Sequence, residues 1–236
     1  MRWDTFAEAT GLTPARGVLA LAPHPDDETL GCGGLLAMAG ARGVPTRVAY
    51  LTDGGASHPG SADWPPARLG ALRRQEARRA CHVLGVARAP VFFGLPDGGT
   101  LDAPLGDATA RLADLVRRDR PGLIVTTWRL EPHCDHRAAW TVAREARAGT
   151  DARLAAFVVW SDLIGAPGDA PGPQDGRCPT STLLALALGP ALATKRRALA
   201  AHRSQLGAVV RDDPGGFVLS APHREAMLAP TERYWL

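Results

Sequence analysis

Along the chain, short apolar runs alternate with longer stretches in which apolar positions recur every three to four residues. The short runs fit strands buried on both faces and the longer stretches fit amphipathic helices. Their alternation is the pattern of βαβ units with a parallel sheet between two helix layers. Strands are predicted at Val18 to Ala22, Thr46 to Thr52, Pro90 to Phe93 and Leu123 to Thr127, and again at Ala155 to Trp160 and Leu183 to Leu188. Helices are predicted over Leu30 to Arg42, Ala67 to Leu84 and Asp107 to Arg120, stopped by Gly43 with Pro45, by Gly85 and by Pro121-Gly122. A fourth helix is expected from just after His136 through Arg147, and another over Ala191 to His202. Gly165 to Pro179, crowded with proline and glycine, reads as a mobile excursion rather than an element.

The 236 residues, 45% of them hydrophobic, suffice for a sizeable core, so one α/β domain over 1–236 is expected. Lys and Arg number 27 against 24 Asp and Glu, a net charge of +3. The basic residues are scattered, and the closest group, Arg73, Arg74, Arg78 and Arg79, suits an exposed helix face as well as a phosphate track, so no nucleic-acid partner is expected. Cys32, Cys81, Cys134 and Cys178 form no C-x-x-C pair and no disulfide framework, which suggests a reducing compartment. The N-terminal apolar run is too short for a secretory signal, and no stretch approaches the ~20 apolar residues of a membrane span. The expected address is therefore the cytoplasm. Homo-oligomerisation is left open.

In open α/β sheets ligands bind beyond the carboxyl ends of the strands. Four polar clusters follow the first four predicted strands: His24-Pro25-Asp26-Asp27-Glu28, Asp53-Gly54-Gly55, Gly94 to Gly99, and Trp128 to His136. His24 and Asp27 are ordinary ligands for a divalent metal, and His133-Cys134-Asp135-His136 adds two imidazoles and a carboxylate. A catalytic zinc needs three protein ligands and an open position. A lone histidine at a strand end is usually only a hydrogen-bonded loop residue, but two such clusters on one sheet edge favour a metal centre. Either Asp26 or Asp27 could cap the following helix, though capping does not require both. Gly31, Gly33 and Gly34 would let that helix pack close to a strand. Their placement is too late for a dinucleotide fingerprint. Trp128 and Trp160 could each stack on a sugar or pack in the core.

Together, Pro23-His24-Pro25-Asp26-Asp27-Glu28 with Leu30 to Gly34, Leu51-Thr52-Asp53-Gly54, and His133-Cys134-Asp135-His136 resemble the PIG-L/LmbE family of zinc-dependent N-acetylglucosamine-type deacetylases. Weaker likenesses are Arg73-x-x-Glu76, Leu84-Gly85, Leu95-Pro96-Asp97-Gly98, and Lys195 with His202-x-Ser204-Gln205. The resemblance implies a three-layer α/β/α sandwich with a mostly parallel, Rossmann-like sheet. It implies one Zn2+ per chain on His24, Asp27 and His136, although this donor set also accepts Fe2+ and other divalent ions. It makes Asp26 the general base, His133 the acid or oxyanion stabiliser, and Asp135 the residue that orients His133. Arg73, Asp97 and Asp53 become substrate contacts, and the substrate an N-acylated amino-sugar conjugate. Two departures stand out: Cys134 replaces the usual proline of the last motif, and Glu131-Pro132 stand where some relatives carry an oxyanion tyrosine. Two other readings remain open, a metal-dependent amidase on a non-sugar amide and a non-catalytic sugar- or nucleotide-binding module.

Overall fold

The computed structural model describes residues 1–160 and 182–236, so the expected excursion at 165–179 lies outside the described residues. In chain order the elements are α1 (Trp3–Thr10), β1 (Val18–Ala22), α2 (Asp27–Gly40), β2 (Thr46–Tyr50), α3 (Pro66–Val83), β3 (Val91–Phe92), α4 (Gly106–Asp119), β4 (Leu123–Thr127), α5 (Cys134–Ala146), β5 (Arg153–Phe157), β6 (Leu183–Ala187), α6 (Ala191–Leu199), α7 (Ala221–Met227) and β7 (Thr231–Trp235). The predicted elements recur with ends shifted by a few residues. The short N-terminal helix, α7 and β7 were not expected.

One seven-stranded sheet has the order β3-β2-β1-β4-β5-β7-β6. Strands β1 to β5 pair in parallel, with Val18 opposite both Thr46 and Leu123. Strand β7 runs antiparallel to β5 and β6, so the sheet is mixed at one edge. All five residues of β1 are buried, as a central parallel strand covered on both faces requires. Val18, Ala20 and Ala22 join a core with α1, α2, α3 and α6, whereas Leu19 and Leu21 join a second core with α4 and α5. This alternation is the period-2 pleat of a strand with a helix layer on each side.

Helix α2 is apolar around nearly its whole circumference because the sheet lies on one side and α6 on another. Its close approach explains two glycines. A β-carbon on Gly31 would sit 2.0 Å from the Phe157 ring, and one on Gly34 would sit 2.4 Å from Leu188. The helix breaks at Cys32 (φ −139°, ψ 18°) and restarts. The freed N–H groups of Gly34 and Leu35 donate to the Glu232 carboxylate from β7, at 2.7 and 2.8 Å. A carboxylate at a helix start satisfies its open donors and suits the dipole.

The sheet order reverses between β1 and β4: the chain moves outward from β1 through β2 to β3, then returns to β4 on the other side. The crevice at this switch point lies at the carboxyl ends of β1 and β4, where the His24 and His133 clusters emerge.

Candidate metal centre and active site

The turn after β1 carries the site. His24 and Asp27 lie on either side of Asp26, a non-glycine residue at φ 141°, ψ −29°. Such a conformation costs ~1–3 kcal/mol and persists only where its surroundings hold it. Asp26 occupies the N-cap position of α2, yet its side chain makes no capping bond. Its carbonyl accepts from the N–H groups of Thr29 and Leu30, both at 2.9 Å, which leaves the carboxylate free to face the cavity.

Three donors converge. His24 Nδ1 is 3.1 Å from Asp27 Oδ2, and His136 Nε2 is 3.4 Å from the same oxygen. Ligand atoms of His24, Asp27 and His136 all lie within 4.8 Å of one another. His136 Nε2 is buried and has no hydrogen-bond partner among the described residues, while its Nδ1 lies 3.1 Å from Glu131 Oε2. Glu131 is fully buried, and its oxygens accept from the N–H groups of Val159 and Trp160. This holds His136 as the tautomer that presents Nε2 to the other donors.

On the far side of His24, Nε2 is 2.9 Å from Asp135 Oδ2 and 3.1 Å from Asp97 Oδ1. The expected partnership of Asp135 with His133 is therefore corrected. The Asp135 carboxylate lies on His24 and is pinned by Gly98 N–H, Thr100 N–H and the Thr100 hydroxyl. What His133 receives is the Asp135 backbone N–H, at 3.2 Å on Nδ1. With that nitrogen accepting, the proton of a neutral His133 sits on Nε2.

Charge follows this geometry. Burial opposes protonation of His24, but Asp135, Asp27 and Asp97 outweigh it and hold His24 well above its ordinary value. Burial is likewise outweighed at His136, which Asp27 and Glu131 push up to about 9. Carboxylates that favour two protonated imidazoles will also favour a dication that displaces those protons. Burial pushes Asp26 up to about 7, with Arg73 opposing and Asp27 adding to the rise. Burial lowers His133, and the neighbouring His24 and His136 charges lower it further.

A cavity of about 270 Å³ opens over these groups, lined by His24, Asp26, Asp27, His133, Arg73 and Asp97 on one side and by Trp160, Phe217 and Leu219 on another. Arg73 is buried; it donates to the Gly54 and Pro25 carbonyls at 2.8 and 2.7 Å and lies 3.3 Å from Asp26 Oδ1. It thus braces the turn that carries Asp26. Asp97 lines the cavity but also accepts from Ala56 N–H at 2.7 Å. Asp53 is not brought to the site: its carboxylate accepts from Gly55 N–H and pairs with Arg74, away from the cavity. Trp160 faces the cavity, whereas Trp128 is buried against Trp140 and Trp235. Sequence reasoning noted Glu131 only as a tyrosine substitute and gave Thr100 no part.

The family described as PIG-L, GlcNAc-PI de-N-acetylase, matches residues 19–147, more than half the chain, including the turn after β1 and the start of α5. The chain belongs to the PIG-L family. It is 30% identical over 135 residues to a diacetylchitobiose deacetylase of Thermococcus kodakarensis, a stretch covering 55% of this chain and 48% of that protein. It is 32% identical over 168 residues to a 1D-myo-inositol 2-acetamido-2-deoxy-alpha-D-glucopyranoside deacetylase of Corynebacterium urealyticum, covering 58% of this chain and 49% of the relative. This PIG-L chain thus matches about half the length of each. The solved N,N'-diacetylchitobiose deacetylase of Pyrococcus horikoshii superposes with a TM-score of 0.62 at 20% identity, covering 86% of this chain and 79% of that one, a likeness of fold. No helix among the described residues is long and apolar enough to cross a membrane.

Proposed function

We propose that this chain is a zinc-dependent hydrolase that removes an N-acetyl or related N-acyl group from an amino-sugar conjugate, with one metal ion held by His24, Asp27 and His136. The observation that carries the reading is the fully buried His136 Nε2, which makes no hydrogen bond among the described residues and stands 3.4 Å from the oxygen of Asp27 that His24 Nδ1 also approaches. A buried polar atom without a partner is costly, and two imidazoles with one carboxylate form a donor set that suits zinc. A bound ion there supplies Lewis acidity, polarising the amide carbonyl and acidifying water beside it.

The chain's own residues do the rest. Asp26 takes the proton of the attacking water and delivers it to the departing nitrogen. Burial, which raises the pKa of the Asp26 carboxyl in the metal-free chain, favours its holding a proton between the two transfers. His133 donates its Nε2–H to the developing oxyanion as a neutral imidazole, with Nδ1 held by the Asp135 N–H. Glu131 and Asp135 fix the two ligand imidazoles, and Glu131 therefore has a task other than that of an oxyanion tyrosine. The amino-sugar assignment draws on the two curated relatives, both named for acetylated amino-sugar substrates.

The test is elemental analysis of the purified chain beside His136→Ala, with acetate release from N-acetylglucosamine derivatives followed in both. About one zinc per chain, lost in the variant together with acetate release, is the expected result. A metal-free chain with unaltered activity would sink it.

A further inference from the structure

Among the buried histidines that the proposed mechanism does not use, His202 reaches the turn of Asp26 through Glu28. His202 follows α6, beyond the stretch 19–147, and is fully buried. Its Nε2 is 2.9 Å from Glu28 Oε1 and 3.3 Å from the Thr29 hydroxyl, while its Nδ1 has no partner. Its polar contacts are thus directed at Glu28 and its neighbour. Glu28 is also fully buried, and its other oxygen, Oε2, accepts the backbone N–H of Asp26 at 3.0 Å. That N–H belongs to the one residue of this turn with a strained backbone.

The path is short and each step is fixed. Nε2 of His202 holds one oxygen of Glu28, and the rigid carboxylate places its second oxygen under the Asp26 amide. The contact is made while Asp26 stands at φ 141°, so the carboxylate holds the amide of the strained residue in its observed place. The segment carrying His202 is itself anchored, because Ser204 donates from both N–H and hydroxyl to Glu76, at 2.9 and 2.6 Å. Arg73 holds the same turn from the other side through the Pro25 carbonyl.

We infer that His202 is a positioning residue: through Glu28 it locks the strained backbone of Asp26 and so aims the Asp26 carboxylate into the cavity beside the metal donors. This rests on the reading of Asp26 as the general base. The lock acts on aim and leaves the metal donors and the cavity wall in place, so its loss lowers kcat with little change in KM or metal content.

The experiment compares His202→Leu with His202→Gln, whose side-chain amide can still donate to Glu28, and runs Asp26→Asn alongside. Acetate release from N-acetylglucosamine is measured per zinc-loaded chain. His202→Leu is expected to lose on the order of 10- to 100-fold in kcat, the scale of outer-shell partners, with KM within about twofold and zinc retained. His202→Gln is expected to recover most of that loss. A residue with only a packing role would lower the melting temperature of His202→Leu and leave kcat per folded, loaded chain intact, which would overturn the inference. So would equal kcat losses in the Leu and Gln variants. If the leucine variant does not fold, His202→Asn takes its place, since its shorter side chain keeps the polarity and falls short of Glu28. Full activity in Asp26→Asn would overturn the base assignment and this inference with it. Loss in Asp26→Asn with none at position 202 would overturn the inference alone.

Discussion

Two buried charged clusters flank α2 and differ in how completely they are satisfied. Beside the restart of the helix, the Glu232 carboxylate accepts from Gly34 and Leu35 N–H, from Lys195 at 2.8 Å and from the Tyr234 hydroxyl at 2.7 Å, so each oxygen has two donors. At the start of α2, Asp27 meets His24 at 3.1 Å and stands 3.4 Å from His136 Nε2, which makes no hydrogen bond among the described residues, and Asp26 sits in a strained backbone with a raised pKa. Both clusters remove charge from water, which by itself is weak evidence of a task. Incompleteness separates them: the satisfied cluster holds a kinked helix to a strand, and the incomplete one retains donors and a carboxylate for something else to meet.

The sharpest way to break this contrast is Asp26→Asn. It should lower kcat by about 10²- to 10⁴-fold, the usual worth of a general base, while zinc stays bound. Its stability should move the opposite way. Burial raises the Asp26 pKa from its ordinary value of 3.8 to about 7, so the folded chain binds more protons than the unfolded one between those values. Stability then falls as pH rises through that window. In the metal-free chain, Asp26→Asn should therefore melt higher than the native chain at pH 8, with the gap closing toward pH 4. Equal melting temperatures at pH 8 would contradict the strained, desolvated carboxylate.

Glu131→Gln tests the outer ring of the incomplete cluster. Zinc affinity should weaken by about 10- to 100-fold, read by competition with a chelator. An unchanged affinity would mean that the Glu131–His136 pair is only structural. Lys195→Met tests the satisfied cluster and should have the smallest effect on catalysis. It leaves Glu232 buried without its cation, at a cost of ~3–5 kcal/mol in stability, seen as a lower denaturant midpoint, while kcat per folded chain stays near the native value. A loss of kcat that outlasts correction for unfolded protein would join the two clusters into one device.

The contrast also shows what the chain's residues disclosed unaided. Strands β1 and β4 were legible because short runs rich in apolar and β-branched residues end in polar clusters, and α3 and α4 because glycine or proline closes them. Strand β7 was not. Its run Thr-Glu-Arg-Tyr-Trp places Glu232 inside, where tertiary donors rather than local pattern make a buried glutamate tolerable. The sequence places Asp135 beside His133, but in the fold its carboxylate meets His24 and only its backbone N–H reaches His133. Its place on the first turn of α5 turns the side chain toward the loop of Gly98 and Thr100, and that loop's position is set by the fold. Glu28 stood in plain view within the first motif, and its partner lies 174 positions away.

The placement of the donors just beyond β1 and β4 has a consequence for how the chain would acquire the proposed ion. His24 and Asp27 are neighbours from the moment they are synthesised, but Asp135 on His24 closes a loop of 111 positions. The ring of ligands exists only once β4 has docked against β1 with α2, β2, α3, β3 and α4 already looped out between them. Closing so long a loop carries an entropy cost that the unfolded polymer cannot offset with two local ligands. Capture of the proposed ion would then be a late event coupled to assembly of the sheet, with chelators and denaturants acting on the same equilibrium from opposite ends.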